Sequence, residues 1–102
     1  MARKYLINND TLMLTNCDYH SEIVKDHSTT LGGGLWDIDF ENKTVLLYGE
    51  SLDYGYVKRE VLIDMIKREC YSLSFDKFKF YHSYNIKIED AKKDCVCISI
   101  KD

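Results

Sequence analysis

Three stretches of the chain alternate apolar and polar residues, which is the pattern of a β-strand with one buried face. Residues 36–40 read WDIDF, with the last apolar position at Phe40. Residues 77–80 alternate two lysines with two phenylalanines, and residues 95–100 alternate cysteine and serine with valine and isoleucine. Each stretch is predicted to be a strand that packs one face on the core.

Three other apolar runs predict further strands. Residues 4–7 and 11–15 flank Asn8-Asn9-Asp10, whose side chains favour a turn, so the two runs are predicted to form a hairpin. Residues 45–48 are apolar without interruption, which is typical of an interior strand that is covered on both faces. This stretch is therefore predicted to lie inside the sheet.

Helical spacing of apolar residues predicts a helix over residues 56–70, with lysines and arginines on its outer side. The side predicted to pack on the sheet consists of Val57, Val61, Met65 and Ile66. A second, short helix is predicted over residues 19–26, because Asp18 is a suitable N-cap residue.

These elements predict one domain over residues 1–102, since the chain has the length of a single domain and no linker-like segment. The predicted fold class is α/β: a single mixed β-sheet of about six strands with two α-helices packed on it.

The patterns of charged and apolar residues argue against nucleic-acid binding, membrane spanning and secretion. The net charge is −3 and acidic residues are interspersed with basic ones, so no basic patch for nucleic acid is expected. No apolar run is long enough to span a membrane. The N-terminal residues have no hydrophobic stretch typical of a signal peptide, so a cytoplasmic location is predicted.

The four cysteines are interpreted as reduced, small buried hydrophobic residues. Cys95 and Cys97 are too close for a CxxC redox site, and on a strand they point to one face. A zinc set of these two with Cys17 and His20 lacks the spacing of structural zinc sites, so no metal is predicted.

Three features together suggest an anion pocket. His20 opens the first predicted helix, the triple glycine Gly32-Gly33-Gly34 precedes a strand, and a glycine-bounded loop containing Ser51 opens the second helix. Helix starts and glycine-rich backbone present N–H groups that attract anions. A histidine beside such a pocket can transfer a proton or attack phosphorus.

In combination these segments resemble the Janus/Ocnus family, whose best-known members are the small protein histidine phosphatases. The resemblance covers about residues 4 to 84, and the LGGG and YGxSxxYG motifs are its most specific parts. Four segments match in order: Lys4-Tyr5-Leu6-Ile7, Tyr19-His20-Ser21-Glu22-Ile23, Leu31-Gly32-Gly33-Gly34 and Tyr48-Gly49-Glu50-Ser51-Leu52-Asp53-Tyr54-Gly55.

The resemblance implies a phosphohistidine phosphatase-like fold and metal-independent removal of phosphate from phosphohistidine in a protein or peptide, with no cofactor. It implies that His20 is the catalytic residue, either activating water or accepting the phosphoryl group. It also implies that the glycines shape the pocket, a role we assign to Gly32, Gly33 and Gly34. The residues implied to bind substrate or phosphate are Lys4, Tyr19, Ser21, Ser51, Leu52 and Asp53.

Two departures from the family pattern favour alternatives. Leu35 stands where the animal enzymes often have arginine, and Asp53 brings a carboxylate near the expected phosphate. One alternative is a catalytically weak or inactive module of the same fold that binds phosphate or a phosphoprotein. Another is an interaction protein with a vestigial pocket.

Overall fold

The computed structural model describes residues 2–8, 11–17, 30–69 and 77–98. In chain order the elements are β1 (Ala2–Asn8), β2 (Thr11–Cys17), β3 (Thr30–Asp39), β4 (Thr44–Tyr48), α1 (Arg59–Glu69), β5 (Lys79–Ser83), α2 (Ile88–Asp94) and β6 (Val96–Ile98).

The six strands form one open, mixed sheet in the order β2-β1-β3-β4-β5-β6. Neighbouring strands are antiparallel except β4 and β5, which are parallel, with Val45 opposite Phe80 and Leu47 opposite His82. The sheet is mixed because it contains this parallel pair, whose strands are connected through α1. The strand order places β4 in the interior of the sheet, as predicted for residues 45–48.

One face of the sheet, here called the α1 face, carries the main core. Residues paired across neighbouring strands point to the same face of the sheet, and successive residues of one strand point to opposite faces. Buried strand residues on this face pack with buried residues of α1 in one cluster that includes Tyr5, Ile7, Val45, Leu47, Phe80, Leu62, Met65 and Ile66.

The opposite face, here called the Lys4 face, carries Lys4 and Leu6 on β1 and Leu46 on β4. The short helix α2 packs on this face with its buried Ala91, and Ser83 of β5 donates a hydrogen bond to Asp94 of α2. Both faces of the sheet therefore have helical cover among the described residues.

The predicted elements differ from the observed ones in several places. Helix α1 begins at Arg59, so the buried Val57 precedes it, and Leu62 is a buried helix residue that the prediction omitted. Strand β3 begins at Thr30 and includes the glycines. Phe40 was predicted to be buried but is 70% exposed, because β3 ends at Asp39 and the chain turns there.

Two further differences concern the helices and the last strand. Helix α2 was not predicted, whereas the helix predicted over residues 19–26 lies outside the described residues, as does Cys70. Val96 is 44% exposed because β6 is an edge strand, although Ile98 is buried as expected. Among the described helices, none is long and apolar enough to cross a membrane.

Candidate functional site

The triple glycine of β3 packs directly on the loop that contains Ser51. The N–H of Gly33 donates to the carbonyl oxygen of Gly55 at 3.0 Å. A β-carbon at Gly32 would lie only 2.7 Å from the carbonyl oxygen of Tyr56, and Gly32 has φ +149°. Glycine is therefore required here for close approach of two backbone segments, as the sequence predicted.

Ser51 begins a tight turn that is closed by hydrogen bonds of the Ser51 backbone and side chain. Ser51 and Gly55 exchange backbone hydrogen bonds, with N···O distances of 3.1 and 2.9 Å. The Ser51 Oγ accepts hydrogen bonds from the amides of Asp53 and Tyr54 at 3.2 and 3.1 Å. Ser51 is buried, whereas Leu52 at the tip is 92% exposed.

Ser51, Leu52 and Asp53 are the loop residues expected to bind phosphate, but two of their backbone amides already have acceptors. The Ser51 and Asp53 amides donate within the turn, because a serine hydroxyl competes well for nearby backbone N–H groups. Oγ has two acceptor sites and both are used, so its O–H remains the group that can donate to a ligand.

Lys4 joins this arrangement through strand pairing. It is half-buried on β1 opposite Leu35, the residue that follows the glycines, and Leu6 lies opposite Gly33. Three of the four segments that carry the family resemblance therefore adjoin one another in the sheet. The fourth, with Tyr19, His20 and Ser21, lies outside the described residues, as does His27.

A cleft of about 440 Å³ opens beside the Ser51 turn. It is lined by Glu50, Tyr56, Lys58 and Tyr84, which follow the carboxyl ends of the parallel strands β4 and β5. Ligands of open α/β sheets commonly bind at the carboxyl ends of parallel strands.

Arg59, at the start of α1, is held next to this cleft by two aromatic side chains. Its Nε donates to Nδ1 of His82 at 2.9 Å, and its guanidinium carbon lies 5.1 Å from the centre of the Tyr84 ring. The Tyr84 hydroxyl accepts a hydrogen bond from the Arg59 backbone N–H at 2.8 Å.

His82 is fully buried on the α1 face, opposite Leu47. Burial, and secondarily the Arg59 charge, lowers the pKa of His82 to about 4. The ring is therefore neutral at pH 7. Within the described part of the chain, its Nε2 and the buried hydroxyl of Tyr5 have no hydrogen-bond partner. Burial, followed by the influence of Tyr84, raises the pKa of Tyr5.

The grouping of Arg59, His82 and Tyr84 was not predicted from the sequence. Arg59 was expected to be one of several charged residues on the outer side of the helix. One available signal was the placement of Lys58 and Arg59 at a helix start, where the helix dipole disfavours cations. That placement is typical of a site where anions bind.

A second cleft, of about 530 Å³, lies on the Lys4 face between β3 and α2. Two aspartates, Asp37 and Asp39, and the charged Lys92 line it together with Asn42, Thr44, Val45, Leu46, Tyr81 and Cys95. Hydrogen bonds from Asn42 lower the pKa of Asp39, so its carboxylate is retained down to low pH. Two carboxylates make this cleft unsuited to phosphate.

The prediction that the cysteines are buried is wrong for Cys95 and Cys97. Cys95 is half-buried and Cys97 is exposed, and both are free thiols. The reason is that β6 is a short edge strand with a solvent-facing side.

A scan against protein-family models, a search of curated proteins and a search of solved structures each found no match to this chain. The family resemblance therefore rests on the residues quoted for it.

Proposed function

We propose that this protein is a metal-independent phosphatase that hydrolyses the N–P bond of phosphohistidine in a protein or peptide, with His20 as the catalytic residue. The observation that carries the proposal is the direct packing of two separate motifs. Gly33 of LGGG is hydrogen-bonded to Gly55 of YGxSxxYG, and Gly32 has no room for a side chain against Tyr56.

The main contributions of the protein to this reaction would be positioning of the reactants and stabilisation of charge. Hydrolysis breaks the bond between phosphorus and the imidazole nitrogen, forms a bond between phosphorus and a water oxygen, and moves a proton from water to the leaving imidazole. Lys4 would neutralise phosphoryl charge and the Ser51 O–H would donate to a phosphoryl oxygen. His20 would either remove the proton from water or accept the phosphoryl group itself.

The experiment is the release of phosphate from a phosphohistidine peptide by the wild type and by His20→Ala. We expect turnover to be abolished in His20→Ala, while circular dichroism remains unchanged. The matched control is His27→Ala, which removes a second imidazole close by in sequence and should keep activity near the wild-type level. Turnover that survives in His20→Ala, or that is lost equally in both variants, would refute the proposal.

The second candidate is a phosphate- or phosphoprotein-binding module that turns over slowly or not at all. Leu35 opposite Lys4 favours it, because it removes a charge that the animal enzymes often carry. Phosphate binding by the wild type without release of phosphate from the peptide would support this candidate over the enzyme.

A further inference from the structure

The Arg59 side chain is oriented by contacts from a different part of the chain. His82 accepts the Nε hydrogen, and Tyr84 lies beneath the guanidinium and also accepts the backbone N–H. A guanidinium has five N–H hydrogens, so this arrangement leaves the four on the two Nη atoms for another acceptor. The residue is half-buried, so part of it is accessible to solvent, and a guanidinium can bind a carboxylate through two parallel hydrogen bonds.

Among the described residues, no aspartate or glutamate lies within salt-bridge distance of the Arg59 guanidinium. His82 is neutral at pH 7, so it orients Arg59 without adding a negative charge or a second positive charge beside it. Lys58 lines the adjoining cleft, and Glu50 is the one acidic residue among its lining residues. The local balance therefore favours an anion.

The cleft is also connected to the proposed active site. Its lining residues Glu50 and Tyr56 directly flank the Ser51–Gly55 turn, and the Tyr84 ring that supports Arg59 forms part of the wall. The Tyr56 and Tyr84 rings meet edge to face with centres 5.6 Å apart. A substrate group that reaches this cleft would therefore lie beside Ser51.

We propose that the Arg59 guanidinium, oriented by His82 and Tyr84, binds an oxyanion of the substrate where its side chain adjoins this cleft through Tyr84. This inference deepens the proposed function, on which the identity of the substrate depends. The oxyanion is a carboxylate beside the phosphohistidine in the peptide, because Lys4, which would neutralise the phosphoryl charge, lies on the opposite face of the sheet from His82. Arg59 is the binding residue, and His82 is a positioning residue that acts through it.

The test is an equilibrium titration that involves no turnover. Inorganic phosphate, and separately an unphosphorylated glutamate-rich peptide, are added to the protein while the Arg59 Nε–Hε signal is followed by NMR. We expect the peptide to shift this signal in a saturable way and phosphate to leave it unmoved. A response to phosphate alone would overturn the assignment of the oxyanion to a carboxylate.

Variants separate a bidentate contact from a simple charge effect. Arg59→Gln should weaken binding by about tenfold, the scale of a hydrogen bond to a charged group. Lys67→Gln removes one positive charge at the other end of α1 and should change affinity by less than about twofold. Arg59→Lys retains the charge but not the planar fork, so it should also bind more weakly than the wild type.

His82→Phe tests the positioning role, because it keeps a ring of similar shape but removes the acceptor for Arg59. It should weaken oxyanion binding while thermal unfolding shows an intact fold. An unmoved Arg59 signal with both probes, or equal affinity in Arg59→Gln and Lys67→Gln, would overturn the inference. Neither result depends on phosphatase activity, so a failure here is distinguishable from a failure of the His20 experiment.

Discussion

Gly34 has no space for a side chain. A β-carbon there would lie 2.5 Å from the carbonyl oxygen of Tyr48 and 2.7 Å from Cε1 of Tyr5, whose ring packs on the glycine. The carbonyl belongs to an interior strand and Tyr5 is fully buried, so neither can move easily. We expect Gly34→Ala to lower the free energy of unfolding by about 1–3 kcal/mol, measured by urea denaturation.

The control for Gly34→Ala is Gly55→Ala. Nothing lies within 4 Å of a β-carbon at Gly55, but its φ of +81° is disfavoured for alanine. Gly55→Ala therefore measures backbone strain alone, which costs about 1–2 kcal/mol. A Gly34→Ala variant as stable as the wild type would show that β3 has room there after all.

The Ser51 turn is an element whose shape depends on one hydroxyl. Ser51→Ala leaves the amides of Asp53 and Tyr54 without the Oγ acceptor that now binds both. We expect their amide hydrogens to exchange faster, with a loss of about 1–2 kcal/mol of local stability, measured by NMR hydrogen exchange. Amides in α1, which do not use this acceptor, provide the internal control. Unchanged protection at residues 53 and 54 would contradict the assigned role of Oγ.

The two described helices differ in how well the sequence pattern predicts them. Helix α1 has 11 residues and enough turns for helical spacing to be visible, and only its start was misplaced, by three residues. Helix α2 has seven residues, one buried side chain at Ala91 and no side-chain N-cap hydrogen bond. Such a short segment has little intrinsic helical stability, so its packing on the sheet is what stabilises it.

At the scale of the whole molecule, buried His82 makes stability depend on pH. The unfolded chain takes up a proton at this histidine near pH 6.5, whereas the folded protein does so only near pH 4. Between these values the unfolded state binds more protons, so stability falls as the pH decreases and this contribution is constant above pH 6.5. The expected loss approaches about 3 kcal/mol.

This prediction is measured by urea denaturation at about pH 7 and about pH 4.5, together with NMR titration of the His82 ring signals. The same change should be smaller in His82→Phe, which has no titrating group at this position. The lowered pKa of Asp39 acts only below its ordinary value of 3.8, outside this interval. A His82 ring that titrates near 6.5 in the folded protein would contradict the prediction.

Local patterns in the sequence determined much of this fold. The apolar run at residues 45–48 predicted an interior strand, and helical spacing predicted α1 with two of its buried residues, Met65 and Ile66, because burial imposes these periodicities directly. The triple glycine indicated close backbone approach, since only a residue without a β-carbon allows it. The candidate residues Lys4, Gly32–Gly34 and Ser51 could be proposed from the sequence because they lie in recognisable motifs.

Other features were decided only by the tertiary structure. Arg59 meets His82 and Tyr84 across 23 and 25 residues of sequence, through the parallel register of β4 and β5 and the position of α1. Cys97 is exposed because β6 lies at a sheet edge, which its own alternation does not indicate. The Ser51 turn is closed because the chain returns at Gly55, which is hydrogen-bonded both to Ser51 and to Gly33 of β3. These properties depend on which segments become neighbours, and local periodicity carries no information about that.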